Sequence, residues 1–193
     1  MHAPASTQDH QSQGASCLVE VFMILLAALL LIGLLAVFST ANTTVHAASG
    51  ASCLVSDRFP GKVLAWCDLI SHYATEVSIP PDLIAALVWL ESGGSPRTYS
   101  HSGAVGLMQV MPRDGTAAAF ICKNGPCFHD RPAMIELLDP EFNIRYGSQM
   151  LRDLLDQHAG DVREALKAYG PMDAGYDYAD AVLGLYWRYG DHP

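Results

Sequence analysis

Positive charge is what this sequence has least of. No lysine or arginine precedes Arg58, and the whole chain carries 11 basic against 20 acidic residues, a net charge of −9. Asp9 and Glu20 lie before residue 48, so the remainder holds 18 acidic and 11 basic side chains, net −7. Nucleic acid as a partner is disfavoured, because phosphates call for a basic face. No polybasic run is present to hold anionic lipid. Metal-site spacing is also missing: there is no Cys-x-x-Cys pair and no cluster of His and Cys, which argues against a zinc-type centre. No alternating strand pattern, internal repeat or low-complexity tract occurs, so helices are left to build the domain.

The longest feature present is apolar. Residues 21–38, VFMILLAALLLIGLLAVF, run unbroken for 18 residues. As a helix they would measure about 27 Å, just enough to span a bilayer core, and they are long for the apolar region of a signal peptide. Val45-His46-Ala47 before Ala48 has the small-residue pattern of a cleavage site. The expectation is a retained single-pass anchor, with secretion after cleavage near Ala47 as the alternative. The chain then divides into a polar tail expected to be disordered (1–17), a transmembrane or signal segment (18–39), a Ser/Thr/Ala/Gly-rich linker (40–56) and a globular domain (57–190).

Of five cysteines, Cys17 precedes the apolar run, whereas Cys53, Cys67, Cys122 and Cys127 come after it. An even number beyond a membrane segment points to two disulfides in an oxidising compartment. Cys122 and Cys127 enclose Lys-Asn-Gly-Pro, with an Asn-Gly turn signal, and are the expected pair. Cys53–Cys67 would then pin the linker to the first helix. The domain is accordingly placed outside the membrane.

Within the domain, apolar spacing predicts helices over 61–78, 81–92, 139–158, 161–169 and 176–189, with a short one at 104–110. Residues 112–131 read as irregular. Trp66, Trp89 and Trp187 each sit in an apolar helical pattern and are expected in the core. The 81–92 helix is apolar from Leu83 to Leu90, the pattern of a buried helix. It opens with Pro81 and Asp82 and stops at Gly93-Gly94. Glu91 shares the face of Ile84, Leu87 and Val88. Apolar surroundings and the negative end of the helix dipole both raise a carboxyl pKa, which suits a general acid. By position alone, Glu91 would pass for a solvent-facing glutamate of the last turn.

The residues beyond Glu91 change that reading. Glu91-Ser92, Pro96, Ser100 and Gly103-Ala104-Val105-Gly106-Leu107-Met108-Gln109-Val110-Met111-Pro112 come in uninterrupted order. This long compound motif resembles the catalytic signature of the soluble lytic transglycosylase (SLT) family, related to goose-type lysozyme, and the likeness covers about residues 80–185. Asp139-Pro140, Asn143-Ile144 and Gly147 also resemble the family's middle helix. The resemblance implies a mainly α, lysozyme-like domain of that α+β superfamily, preceded by one N-terminal transmembrane or signal helix. It implies cleavage of the MurNAc–GlcNAc β-1,4 bond of peptidoglycan glycan strands, with Glu91 as acid and then base. The muramic acid 6-hydroxyl attacks its own C1 with help from the N-acetyl group, giving a 1,6-anhydro end without consuming water.

Carried over by position, Ser100 and Gln109 would hydrogen-bond the sugar, Met111 would pack on its ring, and Tyr169 would sit near the reacting centre. Tyr178 would wall the cleft, with Val182 behind it. No metal or organic cofactor is implied. Domains of this kind open the wall for a secretion or conjugation apparatus, or for wall remodelling. One departure stands out: where the family has Tyr-Asn-Ala-Gly-Pro, this chain has Tyr169-Gly170-Pro171-Met172-Asp173-Ala174-Gly175. Asp114, Asp173 and Asp177 could supply a second carboxylate, although nothing in their spacing pairs one with Glu91. Water activation by one of them would make a lysozyme-type hydrolase. A non-catalytic glycan-binding membrane protein is the reading outside enzymology, and it has no use for a buried acid.

Overall fold

The computed structural model describes residues 53–192. The tail, the apolar segment and most of the linker lie outside the described residues. Among those described, no helix is long and apolar enough to cross a membrane.

The domain is mainly helical. Helices α1 (Gly61–Leu64) and α2 (Cys67–Glu76) occupy the region where one helix was expected. The break falls at Trp66 (φ −107, ψ 10), whose indole Nε1 donates to Gly94 O at 2.9 Å. That bond and the adjoining Cys53–Cys67 disulfide turn the chain where periodicity alone would continue it. Val55 and Ser56, assigned to the linker from sequence, are buried against the domain.

Helix α3 (Pro81–Ser92) is the central element. Pro81 stands at its first position and Gly93 ends it in the left-handed conformation (φ 59). Every residue from Asp82 to Val88 is buried. Asp82 does more than favour the dipole: Oδ1 accepts from Ser56 N and Oδ2 from Asp191 N, both at 2.8 Å.

Helix α4 (Met134–Leu137) is a single turn that the sequence pattern did not suggest. Helix α5 (Pro140–Gln157) starts as expected from Asp139, whose carboxylate accepts from Phe142 N. Helix α6 (Val162–Tyr169) starts from Asp161, which accepts from Glu164 N. Helix α7 (Tyr176–Tyr189) closes the domain. It lies along α3 and α6, while α5 packs on α6 and α2. Ile70, Ile84, Leu87, Leu107, Met108, Ile144, Leu151 and Leu166 fill the core between them.

The irregular stretch 112–131 holds a 3-10 turn at Gly115–Ala119 and a minimal antiparallel hairpin. Its strands, β1 (Ile121–Cys122) and β2 (Gly125–Pro126), pair Ile121 with Pro126 and Cys122 with Gly125. Cys122–Cys127 closes it, so both expected disulfides are present. Trp66 and Trp89 are half-buried against the core, but Trp187 is not in it: the residue is 64% exposed and packs with Tyr186 and His192.

Candidate active site

The short helix expected at 104–110 does not form. Two residues there adopt positive φ, Gly106 (82°) and Gln109 (47°), which interrupts right-handed helix. A tight loop forms instead, in which Val105 and Val110 exchange backbone hydrogen bonds of 2.9 and 3.1 Å and Val105 also bridges to Tyr99.

Asn143 on α5 holds this loop from beneath. It is fully buried, donates to Val105 O and Leu137 O, both at 2.9 Å, and accepts from Met108 N at 2.8 Å. Gly106 makes room for it, since a Cβ there would lie 2.3 Å from the Asn143 amide nitrogen. Ser92 ties the loop to α3 from the other side, with Oγ 2.8 Å from Leu107 O and 3.0 Å from Val88 O. The loop is therefore fixed both to the helix that carries Glu91 and to α5.

Glu91 sits on the last turn of α3 and Tyr178 near the start of α7. The Tyr178 hydroxyl donates to Glu91 Oε1. Burial pushes the Glu91 carboxyl up to about 7; the Tyr178 bond, which favours the anion, opposes this without overcoming it. Tyr169, the last residue of α6, donates to Met108 O at 2.9 Å. Burial first, and then the nearby Glu91 charge, hold both phenols far above their ordinary range, so both remain hydrogen-bond donors.

Of the residues singled out from sequence, Glu91, Tyr169 and Tyr178 thus converge. Val182 is fully buried one turn beyond Tyr178. Ser100 and Gln109 belong to the adjoining loop, but much of their bonding capacity is spent inside it. Ser100 Oγ accepts from Ala104 N at 2.8 Å and lies 3.0 Å from Ser102 Oγ. Gln109 Nε2 donates to Thr98 O at 3.1 Å and to Gly106 O at 2.9 Å, leaving its carbonyl oxygen as the group open to a ligand. Met111 is half-buried and lies outside the core cluster. Asp114 accepts from Met134 N at 2.7 Å, and Asp173 and Asp177 are exposed. Asn143 was legible only as part of the resemblance.

The arrangement is a carboxyl group able to hold or release a proton near neutrality, on the rim of a loop whose backbone is immobilised. The profile of the family described as "Transglycosylase SLT domain" matches residues 68–173, which include Glu91, the loop, Asn143 and Tyr169. The chain belongs to the SLT family. A transglycosylase of Enterobacteria phage PRD1 is 39% identical to this SLT protein over 106 residues, covering 55% of this chain and 34% of that one. The membrane-bound lytic murein transglycosylase E of Buchnera aphidicola is 36% identical over 118 residues, covering 61% and 52%. The chain thus spans about a third and about half of these relatives. Lytic transglycosylase Slt of Pseudomonas aeruginosa shares the fold of this SLT domain, with a TM-score of 0.53 at 23% identity, over 68% of this chain and 24% of that one.

Proposed function

We propose that the domain is a peptidoglycan lytic transglycosylase that cleaves the MurNAc–GlcNAc β-1,4 bond. The observation that carries this is the Glu91 carboxyl, half-buried, pushed by desolvation up to about 7 and held by Tyr178. Protonated Glu91 gives its proton to the glycosidic oxygen as the bond to C1 breaks. The resulting carboxylate then takes the proton of the muramic acid 6-hydroxyl as that oxygen bonds C1. The acid is regenerated and a 1,6-anhydro end forms. Tyr178 stabilises the anionic half of this cycle and Tyr169 buttresses the loop through Met108 O. Ser100, the free oxygen of Gln109, and Met111 take the sugar.

A lysozyme-type hydrolase would need a carboxylate to activate water, and the nearest candidates by sequence are engaged or exposed. A glycan-binding module leaves the raised carboxyl without a use. Mass spectrometry of muropeptides released from purified peptidoglycan by residues 48–193 decides among the three. Anhydro ends, lighter by one water, are expected. Reducing ends would make it a hydrolase, and no release from a folded domain would favour binding.

The 18–39 segment is proposed as a retained anchor that holds this domain outside the cell membrane, where it opens the wall locally for an envelope-spanning secretion or conjugation apparatus. The two disulfides support an external, oxidising location. A mature N-terminus at Ala48, found by sequencing the natural protein, would replace anchorage with secretion.

A further inference from the structure

Gly170 is where this chain departs from the family pattern. It caps α6 with φ −71 and ψ 179, extended backbone that any residue adopts, so conformation does not require glycine here. Space does. A Cβ at this position would lie 2.5 Å from Cγ and Cδ1 of Tyr178 and 3.0 Å from Cδ2, well inside van der Waals contact. The Tyr178 ring rests at one end on the Gly170 backbone and at the other on Glu91. It has little freedom to retreat, because α7 is anchored next to the contact and one turn on by Ala179 and Val182, both fully buried.

We infer that Gly170 is a positioning residue: by leaving the ring's seat open, it lets Tyr178 reach across the cleft and donate to Glu91. In this chain a side chain at position 170 would have to displace the ring or the end of α6. Glycine here and the Tyr178–Glu91 bond are thus two parts of one local solution. The titratable groups facing Glu91 are Tyr178 from α7 and Tyr169 from α6. Both stay protonated over the working range, so Glu91 is the group whose titration reports the seating. The inference deepens the proposed activity and rests on it only for the kinetic readout.

The test is the pH titration of the Glu91 carboxyl carbon by NMR in the wild type, Gly170→Ala, Tyr178→Phe and the double variant. Because the tyrosine bond favours the anion, both single variants should titrate at higher pH, and the double variant no higher than Tyr178→Phe. In muropeptide release, the high-pH limb should move the same way in Gly170→Ala, with kcat lowered about tenfold and KM little changed. A folded Gly170→Ala that titrates like the wild type overturns the inference, as does an equal further shift in the Tyr178→Phe background. Should Gly170→Ala fold poorly, the comparison is made in Tyr178→Ala, which vacates the seat. There the added methyl should leave the melting temperature unchanged, and a loss as large as in the wild-type background would show that the ring is not what the methyl meets. NMR and melting need no turnover, so this inference and the enzymatic proposal fail on separate results.

Discussion

At the scale of single residues, the role proposed for Glu91 and the stability of the fold pull in opposite directions. The Glu91 carboxyl titrates near 7 in the fold and near 4.5 in an unfolded chain. Between those values the native state holds more protons, so stability falls as pH rises through the window and stays lower above it. Glu91→Gln keeps an acceptor for Tyr178 and removes the half-buried charge. It should therefore be more stable than the wild type above pH 7, by up to about 3 kcal/mol, and indistinguishable from it below pH 4. Denaturant melts at pH 4 and pH 8 would show this. The same substitution should lower glycan cleavage at least about a hundredfold. In the wild type, activity should decline as pH rises through 7, because the leaving oxygen then lacks its proton. Cleavage undiminished in Glu91→Gln would remove Glu91 from the chemistry.

At the scale of elements, the decisive structure is the loop that helical spacing had assigned to a helix. That spacing and helix formers favoured an α turn at 104–110, and the interactions that overrode them lie elsewhere in the chain. Asn143 offers three hydrogen bonds to backbone groups, two of them in the loop 35 or more residues away and one at the turn of Leu137, and Gly106 lets it approach. Such a tertiary demand leaves no periodic trace. The break at Trp66 has the same origin, an indole bonded to Gly94 across 28 residues. By contrast, α3, α5, α6 and α7 were legible because their boundaries are local: Pro81, Asp139, Asp161 and the neighbouring glycines. Glu91, Tyr169 and Tyr178 were legible through the motif, but the use of Ser100 and Gln109 within their own loop was not. Asn143→Ala should destabilise the domain by about 3 kcal/mol, by stranding Leu137 O and Met108 N and taking from Val105 O one of its two donors. Thermal denaturation gives the loss, and amide exchange should show Met108 and Val110 losing protection first. Exchange unchanged at Met108 would mean the loop holds itself.

At the scale of the whole molecule, two devices close the domain beyond its helical core. Cys53–Cys67 encloses a 14-residue separation, and its removal by Cys53→Ser and Cys67→Ser should cost about 3 kcal/mol. Opening the five-residue Cys122–Cys127 hairpin should cost less, since a shorter loop loses less freedom. Asp82 is the second device, joining Ser56 and Asp191 through one carboxylate. Asp82→Ala strands two backbone N–H groups, one of them buried, and should cost about 2–4 kcal/mol in urea unfolding. A cost under about 0.5 kcal/mol would show that the two stretches of chain are held by their neighbours instead.

The Asp82 junction has a geometric consequence. Asp82 opens α3 and Glu91 closes it, nine residues further on, or roughly 14 Å along the helix axis. The first and last described stretches of the domain meet at one end of this helix, and the Glu91 carboxyl lies at the other. The central helix is in effect a standoff post between the joined ends of the domain and its carboxyl group.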